Sequence, residues 1–183
     1  LAPQYAEAHY NRGIVMQDLG DLKAAYANFE EAVKCKPDYY NAYNNRGIIL
    51  YKLGNPQSAI SDYSAAISLK SNYGEAYNNR GVSNSELGDL EQALADYNKA
   101  IDLMPDYADA YNNRGNVYQK LRQHEEAFAD YEMAISIVPD FLDALNNRGI
   151  THQHLQNYED ALKDFDTALE LDPNSKEALN NRG

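Results

Sequence analysis

Residues able to do chemistry recur in this chain at a fixed interval. Amide, amide, arginine and glycine stand together as "AYNNRG" at residues 42–47, 76–81 and 110–115 and as "ALNNRG" at 144–149 and 178–183, with "AHYNRG" at 8–13. A side-chain carboxamide offers two donors and an acceptor, the complement of a peptide group in any sequence. The column Asn11, Asn45, Asn79, Asn113 and Asn147, continued by Asn181, could therefore hydrogen-bond an extended backbone. The amides one place earlier, Asn44, Asn78, Asn112 and Asn146, lie nearby on the same helix and are expected to edge the same surface; Tyr10 replaces them in the first unit. The arginines Arg12, Arg46, Arg80, Arg114 and Arg148 could form a ladder of cations for an acidic ligand, or pair internally. Sixteen residues after each comes Asn28, Asp62, Asp96, Asp130 or Asp164. A carboxylate takes a guanidinium through two parallel hydrogen bonds. Internal pairing is preferred: Arg46–Asp62, Arg80–Asp96, Arg114–Asp130 and Arg148–Asp164, within one unit or across one junction, with Asn28 still able to accept from Arg12.

Other reactive groups are sparse. His152 and His154 are two apart, so a helix points them to different faces and a metal site is not expected. His9 and His124 are single. Cys35 shares an apolar column with Leu69, Leu103, Ile137 and Leu171 and is expected to be a buried, inert thiol. No Gly-rich phosphate loop and no nucleophile with an adjacent base is present, so neither catalysis nor a cofactor is expected.

Composition narrows the class of partner. The chain has 183 residues, is 44% hydrophobic and 24% charged, and should fold. Sixteen tyrosines without a tryptophan suggest one position type copied many times. A net charge of -12 disfavours nucleic acid and anionic membrane surfaces. No apolar run approaches the ~18 residues of a membrane-spanning helix. The one cysteine excludes an intrachain disulfide and fits a reducing, cytoplasmic compartment.

The elements that must position these groups follow from the period. Gly13, Gly47, Gly81, Gly115, Gly149 and Gly183 are 34 residues apart without insertion or deletion. The same step carries Ala25 to Ala59, Ala93, Ala127 and Ala161, then Phe29 to Tyr63, Tyr97, Tyr131 and Phe165, and Ala32 to Ala66, Ala100, Ala134 and Ala168. A fixed period of this size marks stacked units that cannot bury their apolar faces alone. Each unit reads as two helices. Asp38 with Asn41, Asn72 with Glu75, Asp106 with Asp109, Asp140 with Asp143 and Asn174 with Glu177 look like capping boxes for first helices. Leu53-Gly54 stops one such helix near Lys52, and Asn55, Asp21, Asp89 and Asn157 cap second helices. Ala8, Ala42, Ala76, Ala110 and Ala144, with the repeated glycine, let helices approach closely.

The run Tyr43, Arg46-Gly47, Leu50, Ala59-x-x-x-Tyr63 and Ala66, with Ser71 where the other units have Pro, resembles the tetratricopeptide repeat family. The agreement covers essentially the whole chain. It departs from the family's pattern in placing Arg rather than Leu before the glycine. It also keeps the following Tyr only at Tyr118, against Met16, Leu50, Asn84 and His152. Arg122 and Gln156 replace the turn glycine. The resemblance implies an all-α fold, a right-handed α-solenoid of antiparallel helix pairs, as a single array. Repeats are expected at about 6–39, 40–73, 74–107, 108–141 and 142–175, with the end of a preceding unit at 1–5 and the start of another at 176–183. Residues 178–183 are expected to fray or to be covered by a neighbouring molecule.

In this family the first helix of each pair lines a concave groove. The resemblance therefore implies that the second-Asn column faces it, as in peptide-binding arrays such as that of the O-linked N-acetylglucosamine transferase. Spacing assigns six acids and two lysines to the wall: Glu7, Asp18, Glu75, Glu86, Asp109 and Asp143, with Lys52 and Lys120. The family's clamp for acidic tails needs cations there. A neutral or basic extended segment fits better. The expected function is a non-catalytic scaffold holding a partner's peptide. The alternatives are a substrate-recruiting arm of a larger enzyme and end-to-end self-association.

Overall fold

Every turn from a first helix to a second is closed by a residue in the left-handed region. Gly20, Gly54 and Gly88 have φ of 78°, 78° and 82°, and Arg122 and Gln156 hold the same place at 61° and 64°. Around Gly54 the Asn55 amide donates back to the Leu50 carbonyl at 2.9 Å and the Gly54 amide to Tyr51 at 2.9 Å. These bonds satisfy carbonyls that the helix end leaves open. The computed structural model describes residues 4–183; the "LAP" segment, Leu1–Pro3, read above as closing a preceding unit, lies outside the described residues.

Among the described residues the chain forms eleven α-helices and no strand. It divides into two compact units, Leu1–Leu103 and Met104–Gly183. The first holds α1 (Gln4–Asp18), α2 (Leu22–Cys35), α3 (Tyr40–Lys52), α4 (Pro56–Leu69), α5 (Gly74–Glu86) and α6 (Leu90–Leu103). The second holds α7 (Ala108–Lys120), α8 (His124–Ile137), α9 (Leu142–His154), α10 (Tyr158–Leu171) and α11 (Lys176–Arg182). The fold is all-α, a solenoid of antiparallel helix pairs. Odd-numbered helices are the first members of their pairs, and in each unit every helix packs on its sequence neighbour. Within the first unit α3 also touches α5, and within the second α7 and α11 both touch α9.

Two kinds of column build the core. Ala25, Ala59, Ala93, Ala32, Ala66 and Ala100 are fully buried in the first unit, as are Ala127, Ala134 and Ala168 in the second. Beside them Phe29, Tyr63, Tyr97, Tyr131 and Phe165 pack against the repeated glycines. A Cβ at Gly47 would stand 2.6 Å from the Tyr63 ring, and one at Gly149 would stand 2.5 Å from Phe165. The glycine is thus required by the aromatic of its own pair. Ala42, Ala76, Ala110 and Ala144 are fully buried, but Ala8 is exposed, because no described element precedes α1.

The first helices start differently from the capping-box expectation. Their N-caps are Tyr39, Tyr73, Tyr107 and Phe141, one residue after Asp38, Asn72, Asp106 and Asp140, and none makes a side-chain cap bond. Packing overrides capping there. Tyr39 lies against Ala32, Val33 and Ala42, and Phe141 against Ala134 and Ala144. For α11 the cap is Ser175 rather than Asn174; its hydroxyl accepts from the Ala178 amide at 3.3 Å. Among second helices, Asp21 accepts from Ala24 at 3.0 Å and Asp89 from Gln92 at 3.2 Å. Asn55 and Asn157 occupy the cap without a side-chain cap bond, and Asn55 instead donates to the Leu53 carbonyl at 3.4 Å.

Candidate functional site

The arginine column is committed inward. Arg46 Nε and Nη2 donate to Asp62 Oδ2 and Oδ1, both at 2.7 Å. The matching pairs are Arg80–Asp96 at 2.9 and 2.6 Å, Arg114–Asp130 at 2.8 and 2.6 Å, and Arg148–Asp164 at 2.8 and 2.6 Å. Each pair links the two helices of one repeat, and all four carboxylates are buried. The guanidiniums ride over Tyr43, Tyr77 and Tyr111, which leaves the stem in apolar surroundings and the head satisfied. The bonds to the aspartates hold these arginines above their usual range, against the opposing effect of burial. Burial pushes the Asp130 carboxyl up, and Arg114 offsets part of that rise. Arg80 also donates to Ser64 at 3.1 Å in the preceding repeat, so it joins three helices. The first member departs from expectation: Asn28 donates to the Ala24 carbonyl at 2.7 Å instead of accepting from Arg12, which is exposed. Arg182, in the same column, pairs with Asp166 of the preceding repeat.

The two amide columns have different roles. Asn44, Asn78, Asn112 and Asn146 are 2–6% exposed. They are buried rather than edging an exposed surface as expected. Asn44 and Asn112 point toward the next first helix of their own unit and present acceptors to the second column, whereas the Asn146 side-chain amide is buried without a hydrogen-bond partner among the described residues. Asn79 Nδ2 donates to Asn44 Oδ1 at 3.1 Å, and Asn147 Nδ2 to Asn112 Oδ1 at 3.1 Å. In the first repeat Tyr10 takes this part, and its hydroxyl accepts from Asn45 Nδ2 at 3.0 Å. Asn45, Asn79, Asn113 and Asn147 are half-buried and Asn11 is exposed. An inward Nδ2 bond fixes the rotamer of Asn45, Asn79 and Asn147; Asn45 Oδ1 also accepts from Asn44 at 3.4 Å and Asn147 also donates to Asn116, so Asn79 keeps the most donor and acceptor capacity of the three.

Asn116, which spacing assigns to the groove wall, has a structural part that the sequence reading missed. Its Oδ1 accepts from Asn147 at 3.0 Å and from the Tyr131 hydroxyl at 2.8 Å. A signal for it exists: the column one after glycine is Ile14, Ile48, Val82, Asn116 and Ile150, apolar in every other repeat. In the first unit, a cavity of about 190 Å³ opens between α3 and α5, lined by Ile48, Tyr51, Lys52, Tyr63, Asn79 and Val82. Glu75 and Glu86 are exposed on α5, and Asp109 and Asp143 on α7 and α9.

The histidines differ from their reading as isolated residues. His124 stacks on His154 at 4.5 Å between centroids and 15° between planes, and His152 lies 4.0 Å from Asp164 Oδ2 and edge-on to Phe128. Among the described residues no group of three His, Cys, Asp or Glu side chains is placed to hold a metal. Cys35 is a buried free thiol. Its column is not uniformly buried, since Leu69 and Leu171 are 43% and 47% exposed. No helix among the described residues is long and apolar enough to cross a membrane.

Comparison with known proteins agrees with this geometry. The family model "Tetratricopeptide repeat" matches residues 40–73, 108–141 and 142–175, more than half of the chain, and the model "TPR repeat" matches 16–54 and 85–121. The chain belongs to the tetratricopeptide repeat family. Its repeats support a protein-interaction scaffold. The structure is similar to that of MamA, with a TM-score of 0.78 and 28% identity over 88% of this chain and 94% of that one. A tetratricopeptide repeat protein of Parabacteroides merdae gives 0.80 and 25%, covering 98% of this chain and 71% of that one. PilF of Pseudomonas aeruginosa, at 17% identity over 97% of this chain and 81% of that one, shares the fold with a TM-score of 0.89. No curated protein sequence matches the chain.

Proposed function

We propose that this tetratricopeptide repeat chain is a non-catalytic scaffold that holds an extended peptide segment of a partner along the face of its first helices. The observation that carries this reading is the repeated fixing of the second-column amides. Asn45, Asn79 and Asn147 are each held by an inward Nδ2 bond at the same place in the repeat, and Asn147 by a second one to Asn116. A side chain held this way binds with less loss of rotamer entropy. Asn11 and Asn113 complete the column by position. Asn44 and Asn112 serve as its supports rather than as contacts, and Asn78 and Asn146 hold the same buried place.

The partner segment is neutral or basic. The arginines, which could have gripped an acidic tail, are bound to Asp62, Asp96, Asp130 and Asp164. The carboxylates of Glu75, Glu86, Asp109 and Asp143 remain exposed. A buried free thiol at Cys35 is compatible with a reducing, cytoplasmic setting.

Binding of a random library of extended peptides to the immobilised chain tests the reading, with Asn45, Asn79 and Asn113 changed together to Ala and circular dichroism as the folding control. Each bond to the ligand contributes about 0.5–1.5 kcal/mol, so the triple variant should lose at least about tenfold in affinity. Equal retention by a folded triple variant would overturn the amide-ladder reading.

A further inference from the structure

The same three positions are filled differently in the two units. In the second, Asn116 Oδ1 accepts from both Tyr131 Oη and Asn147 Nδ2. Two repeats earlier the corresponding residues are Ile48, Tyr63 and Asn79. Ile48 brings no acceptor. Asn79 commits one N–H to Asn44 Oδ1, as Asn147 does to Asn112. Beyond that bond, neither the Asn79 side chain nor the Tyr63 hydroxyl has a hydrogen-bond partner among the described residues. Tyr63 is 2% exposed, and both side chains line the 190 Å³ cavity between α3 and α5. Two donors thus border a space whose counterpart in the second unit is supplied with an amide oxygen.

We propose that this cavity is a subsite for a side-chain carboxamide of the bound peptide, glutamine ahead of asparagine, whose oxygen takes the place that Asn116 Oδ1 has in the second unit. The inference rests on the peptide-binding reading and adds a residue preference to it. Ile48, Tyr51 and Val82 form apolar walls that suit the two methylenes of a glutamine stem. Burial keeps the Tyr63 phenol protonated, hence a donor, well above neutral pH. Lys52 lines the cavity, and an adjoining hollow carries one charge of each sign, Lys52 and Glu86, beside Tyr51. A neutral occupant therefore meets no net repulsion. A carboxylate would have to leave water for apolar walls, and the cation at their edge, Lys52, is exposed and gives only screened compensation.

The test titrates the intact chain with Ac-Ala-Ala-X-Ala-Ala-NH₂, X being Gln, Leu or Glu. It follows the Asn79 side-chain NH₂ and the Ile48 and Val82 methyls by NMR. The glutamine peptide should shift these resonances saturably and bind about fivefold or more tightly than the other two, the factor one net hydrogen bond supplies. Ile48→Asn returns the missing acceptor from within and should erase the preference. Tyr63→Phe, which keeps the ring found in this column at Phe29 and Phe165, should reduce it. Equal binding of the three peptides, tighter binding of the glutamate peptide, or a glutamine preference that survives both variants would overturn the subsite. If all three bind alike and the Asn45, Asn79, Asn113 triple variant loses them all, the subsite is wrong and the groove reading stands. If no peptide moves the Asn79 amide, both fall.

Discussion

At the scale of single residues, the glycine and the Arg–Asp pair are set by what touches them. In a helix interior Gly→Ala ordinarily gains about 0.5–1 kcal/mol. At Gly81 the new methyl would stand 2.8 Å from Tyr97 Cε1, on a ring that is itself enclosed. Overpacking of this kind costs about 1–3 kcal/mol, so Gly81→Ala should lower stability by roughly 1–2 kcal/mol; a urea midpoint at or above that of the parent would contradict the packing account. The pair Arg80–Asp96 makes a second case. Asp96→Ala strands Arg80 and also removes the acceptor of Asn84, 3.0 Å away. Losing one partner of a fully buried pair costs about 3–5 kcal/mol. Arg80 keeps 23% of its side chain in contact with water, so about 2 kcal/mol is expected here. The double variant Arg80→Leu, Asp96→Ala should recover the part of that loss due to Arg80, because the family's usual Leu needs no carboxylate, while the lost acceptor of Asn84 remains. A double-mutant cycle in urea measures the coupling, and strictly additive losses would rule it out.

At the scale of elements, the turns decide where each first helix stops, and two of them are written with the wrong residue. Arg122 and Gln156 sit at φ of 61° and 64° where the earlier turns have glycine. The left-handed region costs a side chain about 1–2 kcal/mol, and the greater freedom of unfolded glycine returns about 0.5–1 of that. Changing both to Gly should therefore stabilise the chain by about 1 kcal/mol, seen as a rise in Tm of about 2–4 °C by calorimetry; an unchanged or lower Tm would count against strain at these turns. Such turns are easy to read from sequence because Gly, Asn and Pro act through local backbone geometry. The starts of first helices are harder. Tyr39, Tyr73, Tyr107 and Phe141 win the N-cap through contacts with other helices, and that contest is invisible in a local pattern. The amide columns are harder still. The 34-residue period shows that Asn44 and Asn45 recur together, but adjacent helical residues point about 100° apart. Only the neighbouring helix fixes which of the two faces inward. The arginine and aspartate columns were legible because two charges of opposite sign recur at one separation. The acceptor role of Asn116 was hidden because an amide stands at this place in one repeat alone.

At the scale of the whole molecule, the copied aromatic column gives the chain a definite response to alkali. Burial lifts the phenols of Tyr63, Tyr97 and Tyr131 above their ordinary value of 10.0, with nearby Asp62 acting in the same direction on Tyr63 and Asp130 on Tyr131. Unfolding releases these rings to water, where they ionise near pH 10. Below that pH both states hold the proton and the contribution to stability is complete. Above it the unfolded chain binds fewer protons than the folded one, so stability falls as pH rises, by about 1.4 kcal/mol per pH unit for each phenol and up to about 4 for the three. Urea unfolding between pH 8 and 11.5 should show a plateau followed by this decline. The variant Tyr63→Phe, Tyr97→Phe, Tyr131→Phe should fall less steeply, since Phe29 and Phe165 already fill the same column at full burial. The net charge of -12 adds a general repulsion that deepens as further tyrosines ionise, but salt screens that part and leaves the buried phenols largely untouched. Repeating the series in about 0.5 M NaCl separates the two contributions. If the triple variant and the parent decline in parallel at both ionic strengths, the buried phenols are not the cause.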